Sequence, residues 1–325
     1  MAQFDLPLSR LVSYRPPREE PDDFDEFWRA TLAEQDERHP LEVSFDPVDT
    51  GLVQVLTEDV TFTGFGGQPV KGWFHRPAGA QPGLGVVVQF VGYNGGRGLA
   101  HETTLLAQAG YAVLVMDNRG QGGGKHLVGD TGDSFVTGPA VTGFITQGID
   151  SPETYYYRRH FTDAVRAVRA ARQHRLVDAD RVLTCGASQG GALSLAAAAL
   201  GGPVRGAVVD VPFLTHVRHA TEITDAAPYS ELVRYLGARR DRVEAAFRTL
   251  SYFDGVNLAA RVGARGLFSV GLLDTICPPS AVYAAYNHYA GPKEMVVYPY
   301  NGHEHGQAYQ EVEHLRFVRE VLGAP

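Results

Sequence analysis

Five residues, Gly186-Ala187-Ser188-Gln189-Gly190, constrain this chain more than any other stretch. They lie between the apolar run Arg181–Cys185 and Gly191-Ala192-Leu193-Ser194-Leu195-Ala196, a good helix former. A serine between glycines at a strand-to-helix junction fits a tight elbow. The glycines permit a strained turn and close packing, and the hydroxyl is left at the start of the helix. An ordinary glycine-rich turn would give the same string, so the serine's partners must decide. The surrounding pattern suits an elbow. Apolar runs at Gly85–Val91, Tyr111–Met116, Gly206–Val211, Gly266–Val270 and Glu294–Tyr298 each lie near a helical stretch. Near-continuous apolar strands alternating with helices predict an α/β fold with a mostly parallel central sheet, buried on both faces by helices.

With 325 residues and no repeats or low-complexity linkers, residues 1–325 read as a single domain. Residues 1–50 form an N-terminal helical segment, with Asp22 as cap and Phe24, Phe27, Trp28 and Leu32 on one face, docking on the main body. Val53–Phe62 and Val70–Arg76, joined by Gly64-Phe65-Gly66-Gly67, read as a hairpin, and a helix ends at Gly110. Two insertions interrupt the rhythm: 120–152, rich in Gly, Asp and Thr, and 213–252, with helices at Tyr229–Leu236 and Arg242–Leu250. Insertions at strand ends shape sites, because a rigid sheet positions variable loops.

Composition removes several functions. The 29 basic and 37 acidic residues leave a net charge of −8, which repels phosphate backbones, so nucleic acid is not an expected partner. Cys185 and Cys277 are too few for a disulfide framework or a zinc cluster. No stretch approaches the ~20 apolar residues of a membrane span. Met1-Ala2-Gln3-Phe4-Asp5 has neither the basic nor the apolar region of a secretory signal, and the expectation is a cytoplasmic, reduced protein with no membrane partner. No G-x-G-x-x-G follows a strand, and none of the three lysines is followed by Ser or Thr, so no cofactor is expected.

A serine hydroxyl becomes a nucleophile when a histidine takes its proton, and the histidine needs a carboxylate to hold its tautomer. At an elbow of this kind the chain order is Ser, acid, His. His303, in Tyr300-Asn301-Gly302-His303-Glu304, follows the strand ending at Tyr298 and precedes the last helix, where a sheet-edge loop delivers a base. His305 competes with it, and His314 reads as structural within an amphipathic helix. His303-Glu304-His305 also suggests a metal, but no third ligand is evident. Asp274, after the strand Gly266–Val270, is the candidate acid, with Asp210 as the alternative. The oxyanion donors are the N–H of Gln189, after the nucleophile, and that of Tyr93 in the loop Gly92-Tyr93-Asn94-Gly95-Gly96. Tyr93 and Cys277 are candidate substrate contacts. Cys277 follows the acid closely enough to line an acyl pocket, although a small buried hydrophobe reads the same way.

With those residues in place, the chain resembles the acetyl xylan esterase and cephalosporin-C deacetylase family, carbohydrate esterase family 7. The resemblance runs from Asp23-Phe24-Asp25-Glu26-Phe27-Trp28 to the final histidine loop. It is carried by Arg119-Gly120-Gln121, Gly186-Ala187-Ser188-Gln189-Gly190 and His303-Glu304 in that order, and by Tyr155-Tyr156-Tyr157-Arg158-Arg159, Asp210-Val211-Pro212-Phe213 and Cys277-Pro278-Pro279-Ser280. It implies an α/β-hydrolase fold, the triad Ser188, Asp274 and His303, and an oxyanion hole from Tyr93 and Gln189. It also implies no cofactor or metal, and a homohexamer, a trimer of dimers whose sites face an internal cavity. The implied activity is removal of O-acetyl groups from small carbohydrates such as xylo-oligosaccharides, and from cephalosporin C, through an acetyl-enzyme. One departure is visible. Many members have His-Gly-Tyr where this chain has Val91-Gly92-Tyr93, which keeps the backbone donor and changes the contacts around residue 91. Arg119 is expected to pair with a carboxylate and fix nearby loops. Acyl transfer by the same triad, and ligand binding without catalysis, are the rival readings. The second normally goes with loss of a triad member.

Overall fold

Alternate residues of the central strands enter two different cores, as unbroken apolar runs require. Val86, Val88, Leu114 and Val209 join the larger cluster, and Val87, Val113, Leu183 and Val208 join the smaller one on the opposite face. The computed structural model describes residues 3–124, 127–136 and 142–325. Its strands are β1 (Val43–Val48), β2 (Val55–Thr63), β3 (Pro69–Pro77), β4 (Leu84–Phe90), β5 (Ala112–Met116), β6 (Val177–Ala187), β7 (Gly206–Asp210), β8 (Arg265–Gly271) and β9 (Lys293–Tyr298). Its helices are α1 (Leu8–Leu11), α2 (Phe24–Arg38), α3 (Leu105–Gln108), α4 (Tyr156–Ala171), α5 (Gln189–Leu200), α6 (Val217–Ile223), α7 (Tyr229–Ala238), α8 (Val243–Ser251), α9 (Gly255–Ala259), α10 (Pro279–His288) and α11 (Ala308–Leu322).

The strands form one sheet in the order β1-β2-β3-β5-β4-β6-β7-β8-β9. Pairing is antiparallel from β1 to β5 and parallel from β5 to β9. Helices α4 and α5 cover one face, and α3 and α11 the other. This is the α/β-hydrolase fold. Its parallel strands all end at one edge, where ligands bind in open α/β sheets. Among the described residues no helix is long and apolar enough to cross a membrane.

The N-terminal aromatic face docks as its spacing predicts. Phe24 and Trp28 are 1% exposed, and the Trp28 indole N–H donates to the Tyr252 carbonyl at 2.9 Å. Burying a side chain such as Phe24 contributes ~1.5–3 kcal/mol as an upper figure. Two expectations need correction. The residue preceding α2 is Asp23 rather than Asp22, and its side chain makes no capping bond. Residues 1–50 are also not wholly helical, because Val43–Val48 is the outermost strand, with Val43 opposite Phe62. Pro47 argues against a central strand and is tolerated at an edge, where the missing N–H leaves no ladder bond unmade. The 213–252 insertion is helical as expected, carrying α6, α7 and α8. Of the 120–152 insertion, residues 125–126 and 137–141 lie outside the described residues.

Candidate active site

Ser188 sits between β6 and α5 with φ 59° and ψ −121°, a conformation that L residues seldom adopt. The flanking glycines explain how it is tolerated. A Cβ on Gly186 would collide with the Gly190 backbone, and one on Gly190 with the Phe90 carbonyl. The Ser188 N–H donates to the Asp210 carbonyl at 2.9 Å, which ties the elbow to the end of β7. The strained turn is therefore clamped from both sides, and its hydroxyl stands at the edge of the sheet.

Register brings the partners to that edge. Gly271 lies opposite Tyr298 in the β8–β9 pair, so the loops following these two strands emerge side by side. Asp274 is in the first loop and His303 in the second. His303 Nε2 lies 2.9 Å from Ser188 Oγ, and His303 Nδ1 lies 2.9 Å from Asp274 Oδ2. Asp274 is fully buried, and its Oδ1 accepts the N–H groups of Ile276 (2.8 Å) and Cys277 (2.9 Å). Both carboxylate oxygens are thereby satisfied, and the imidazole is held with Nε2 towards the serine. A hydroxyl, a base and an orienting acid in series can activate an oxygen nucleophile.

The competing residues fall elsewhere. Asp210, 1% exposed, accepts from Ser269 Oγ (2.6 Å) and Gln310 Nε2 (2.8 Å) and pairs with His314 Nε2 (2.6 Å). Burial pushes the Asp210 carboxyl up, but the charge and hydrogen bond of His314 outweigh it and hold its pKa below the ordinary range. Burial likewise pulls His314 down, and Asp210 reverses this, leaving His314 above its ordinary value. His305 is lowered, chiefly by burial, and is joined by hydrogen bond to neither Ser188 nor Asp274. Glu304 accepts from the Gly302 N–H at 3.1 Å, so its carboxylate braces the turn that carries His303.

The two candidate oxyanion residues are cross-linked by side chains that sequence reading did not single out. Gln189 Oε1 accepts from Gln121 Nε2 (3.0 Å) and from the Tyr157 hydroxyl (2.9 Å), while Gln121 Oε1 accepts the Asn94 N–H (2.6 Å). Gln121 thus bridges the elbow and the Tyr93 loop. Asn118 Nδ2 donates to the carbonyls of Gly92 (3.0 Å) and Gly95 (2.8 Å), gathering the same loop. The signal available in sequence was the Arg119-Gly120-Gln121 string, of which only the arginine was given a structural task. Arg119 does form a buried bidentate pair with Asp163, at 2.7 and 2.9 Å.

Tyr93 is 8% exposed, and its hydroxyl donates to Glu231 Oε2 at 2.7 Å. Cys277 is fully buried beside Ser188, and burial first, then the Asp274 charge, push its thiol well up, so it stays protonated. A cavity of about 490 Å³ opens at Ser188 and His303, walled by Val91, Gly92, Leu127, His305, Glu311 and His314 among others.

Comparison with known proteins identifies the family. Residues 1–321 match the family model described as acetyl xylan esterase (AXE1). The chain is similar to the structure of an acetyl xylan esterase from Paenibacillus sp. R4, at 38% identity and a TM-score of 0.90, over 98% of this chain and 100% of that one. Acetyl xylan esterase 1 from Thermoanaerobacterium sp. JW/SL YS485 is 32% identical with a TM-score of 0.87, over 98% and 99% of the two chains. Acetyl esterase Axe7A of Xylanibacter ruminicola is 26% identical over 310 residues, 89% of this chain. The chain spans 65% of the length of that curated relative.

Proposed function

The chain belongs to the acetyl xylan esterase family, a family of carboxylic ester hydrolases, and from that premise we propose that it removes O-acetyl groups from small acetylated carbohydrates through an acetyl-enzyme on Ser188. The observation that carries the reading is the relay from Ser188 Oγ through His303 to Asp274, with 2.9 Å at each step. Ser188 Oγ attacks the acetyl carbonyl while His303 Nε2 takes its proton. Negative charge then builds on the carbonyl oxygen, which the N–H groups of Tyr93 and Gln189 receive. Collapse expels the sugar alcohol, which leaves with the proton from His303. Water, deprotonated by the same imidazole, releases acetate and restores the serine. Asp274 stays ionised and keeps the ring in the useful tautomer. Oxyanion donors and positioning supply most of the rate advantage.

Cys277 is fully buried and does not line the cavity, so it serves as packing beside Ser188, and the sugar takes the cavity next to His303, because the leaving oxygen must be within reach of the imidazole that protonates it. Xylo-oligosaccharides are the expected substrates, with cephalosporin C a further acetyl ester of suitable size. We read residues 1–325 as one cytoplasmic catalytic unit that assembles as a hexamer with its sites facing inward. Light scattering that returns a monomer ends the hexamer part of this reading.

The decisive experiment is Ser188→Ala assayed by acetate release from acetylated xylo-oligosaccharides. Loss of the nucleophile in such a relay lowers kcat by ~10⁶-fold, to background here, with an unchanged thermal midpoint. Turnover retained by the folded variant overturns the reading.

A further inference from the structure

Among the described residues, Tyr93 is the one member of the glycine-rich 92–96 loop whose side chain is anchored in both insertions. Its hydroxyl donates to Glu231 Oε2 on α7 (2.7 Å) and accepts the N–H groups of Phe144 (2.9 Å) and Gly143 (3.2 Å). Its ring meets Phe144 and Phe213 edge-on, with centroids 5.5 and 6.1 Å away. Glu231 stands on a fixed base, because Tyr229 and Leu232 of the same helix are fully buried, and the Tyr235 hydroxyl donates to Asp150 at 3.1 Å.

We propose that Glu231 is a positioning residue for the deacetylation reaction: it pins the Tyr93 side chain and thereby aims the Tyr93 N–H at the developing oxyanion. The loop has few side chains of its own, so its direction depends on the bonds that other segments make to it. Gly92, Gly95 and Gly96 surround Tyr93 and Asn94, and glycine leaves the backbone many accessible conformations. Tyrosine has a rigid ring and two side-chain torsions. Fixing its far end therefore fixes the orientation of its own peptide group. The hydroxyl is already saturated, with one acceptor and two donors, so its role is to anchor the loop rather than to bind substrate. Gln121 holds the next peptide group at the Asn94 N–H, Asn118 Nδ2 holds the Gly92 carbonyl of the same peptide group that carries the Tyr93 N–H, and Glu231 fixes that group from its other side through the Tyr93 ring.

This inference rests on the deacetylase reading, and the tests separate the two. A folded Ser188→Ala that keeps turning over ends that reading. An inactive Ser188→Ala beside an unimpaired Glu231→Ala ends only this one. Steady-state kinetics on p-nitrophenyl acetate would compare Glu231→Ala, Glu231→Gln, Tyr93→Phe and the double variant Glu231→Ala/Tyr93→Phe. Deleting a whole oxyanion donor costs ~10²–10³ in kcat, so a misaimed one should cost about tenfold. Glu231→Ala is expected to lower kcat by that factor with KM within about twofold, because the interaction is made in the transition state. Glu231→Gln, which keeps an acceptor oxygen, should recover most of the loss. Tyr93→Phe, which also forfeits the Phe144 and Gly143 donors, should cost at least as much as Glu231→Ala, and the double variant should be no worse than Tyr93→Phe alone, since Glu231 acts through the hydroxyl that Phe lacks. Should Glu231→Ala fail to fold, Glu231→Gln/Tyr93→Phe against Tyr93→Phe reads the same coupling. An unchanged kcat, a loss confined to KM, or multiplying effects in the double variant would overturn the proposal.

Discussion

Two carboxylate–histidine pairs stand at the same sheet edge, and only one of them reaches the serine. Asp274–His303 and Asp210–His314 have similar distances, 2.9 and 2.6 Å, and both carboxylates are essentially buried. They differ in which ring nitrogen the carboxylate engages and where the ring is mounted. Asp274 engages Nδ1 of a loop histidine, which leaves Nε2 on Ser188 Oγ. Asp210 engages Nε2 of a histidine on α11, along with Ser269 and Gln310, and so staples that helix to β7. A buried Asp–His pair is therefore no catalytic unit in itself. What distinguishes the two is the direction of the second nitrogen.

The largest effect expected to sharpen this contrast comes from Asp274→Asn. It favours the wrong imidazole tautomer and should lower kcat by ~10³–10⁴ while leaving the fold intact. The matching change, Asp210→Asn, should act mainly on stability. Removing one partner of a buried ion pair costs ~3–5 kcal/mol, and His314 can release its proton at the partly exposed edge, so ~2–3 kcal/mol is expected. Its kcat, corrected for folded protein, should fall by less than ~10-fold, the lower end of an acid–base contribution being ~10². Comparable losses of kcat in the two variants would erase the distinction drawn between the pairs.

The smallest effect is one of pH. His314 is raised above its ordinary value, so its contribution is complete below the unfolded pKa of ~6.5 and is lost as pH rises through the folded value. Asp210 is depressed, so its contribution is present above ~3.9 and is lost on acidification through the folded value. The pair therefore stabilises most between about pH 4 and 6.5. His314→Gln should lower the thermal midpoint more at pH 5.5 than at pH 9. A gap independent of pH would mean that His314 contributes packing and not charge.

Much of this was legible in the chain. The edge strand β9 is only half-buried, whereas the buried strands β4, β5, β7 and β8, with the second half of β6, announce themselves as apolar runs because both of their faces are covered. β1 did not, since Val43-Ser44-Phe45-Asp46-Pro47-Val48 is a half-exposed edge strand containing a proline. Ser188, Asp274 and His303 could be proposed from chain order and from their places after apolar runs. Gln121, Asn118 and Glu231 could not be assigned their contacts. An amide or a carboxylate has no periodicity to reveal its partner, and Gln121 and Glu231 meet theirs across 68 and 138 residues.

By itself, the sequence determined where a strained elbow could form, because the backbone collisions that Gly186 and Gly190 avoid are local. It also determined that the central strands would be covered on both faces, because side-chain alternation is a property of consecutive residues. The choice between Asp274 and Asp210, which both follow buried strands, belonged to the tertiary structure. It depends on strand register and on how far each loop carries its histidine, and these are through-space relations among segments that no short window of sequence contains.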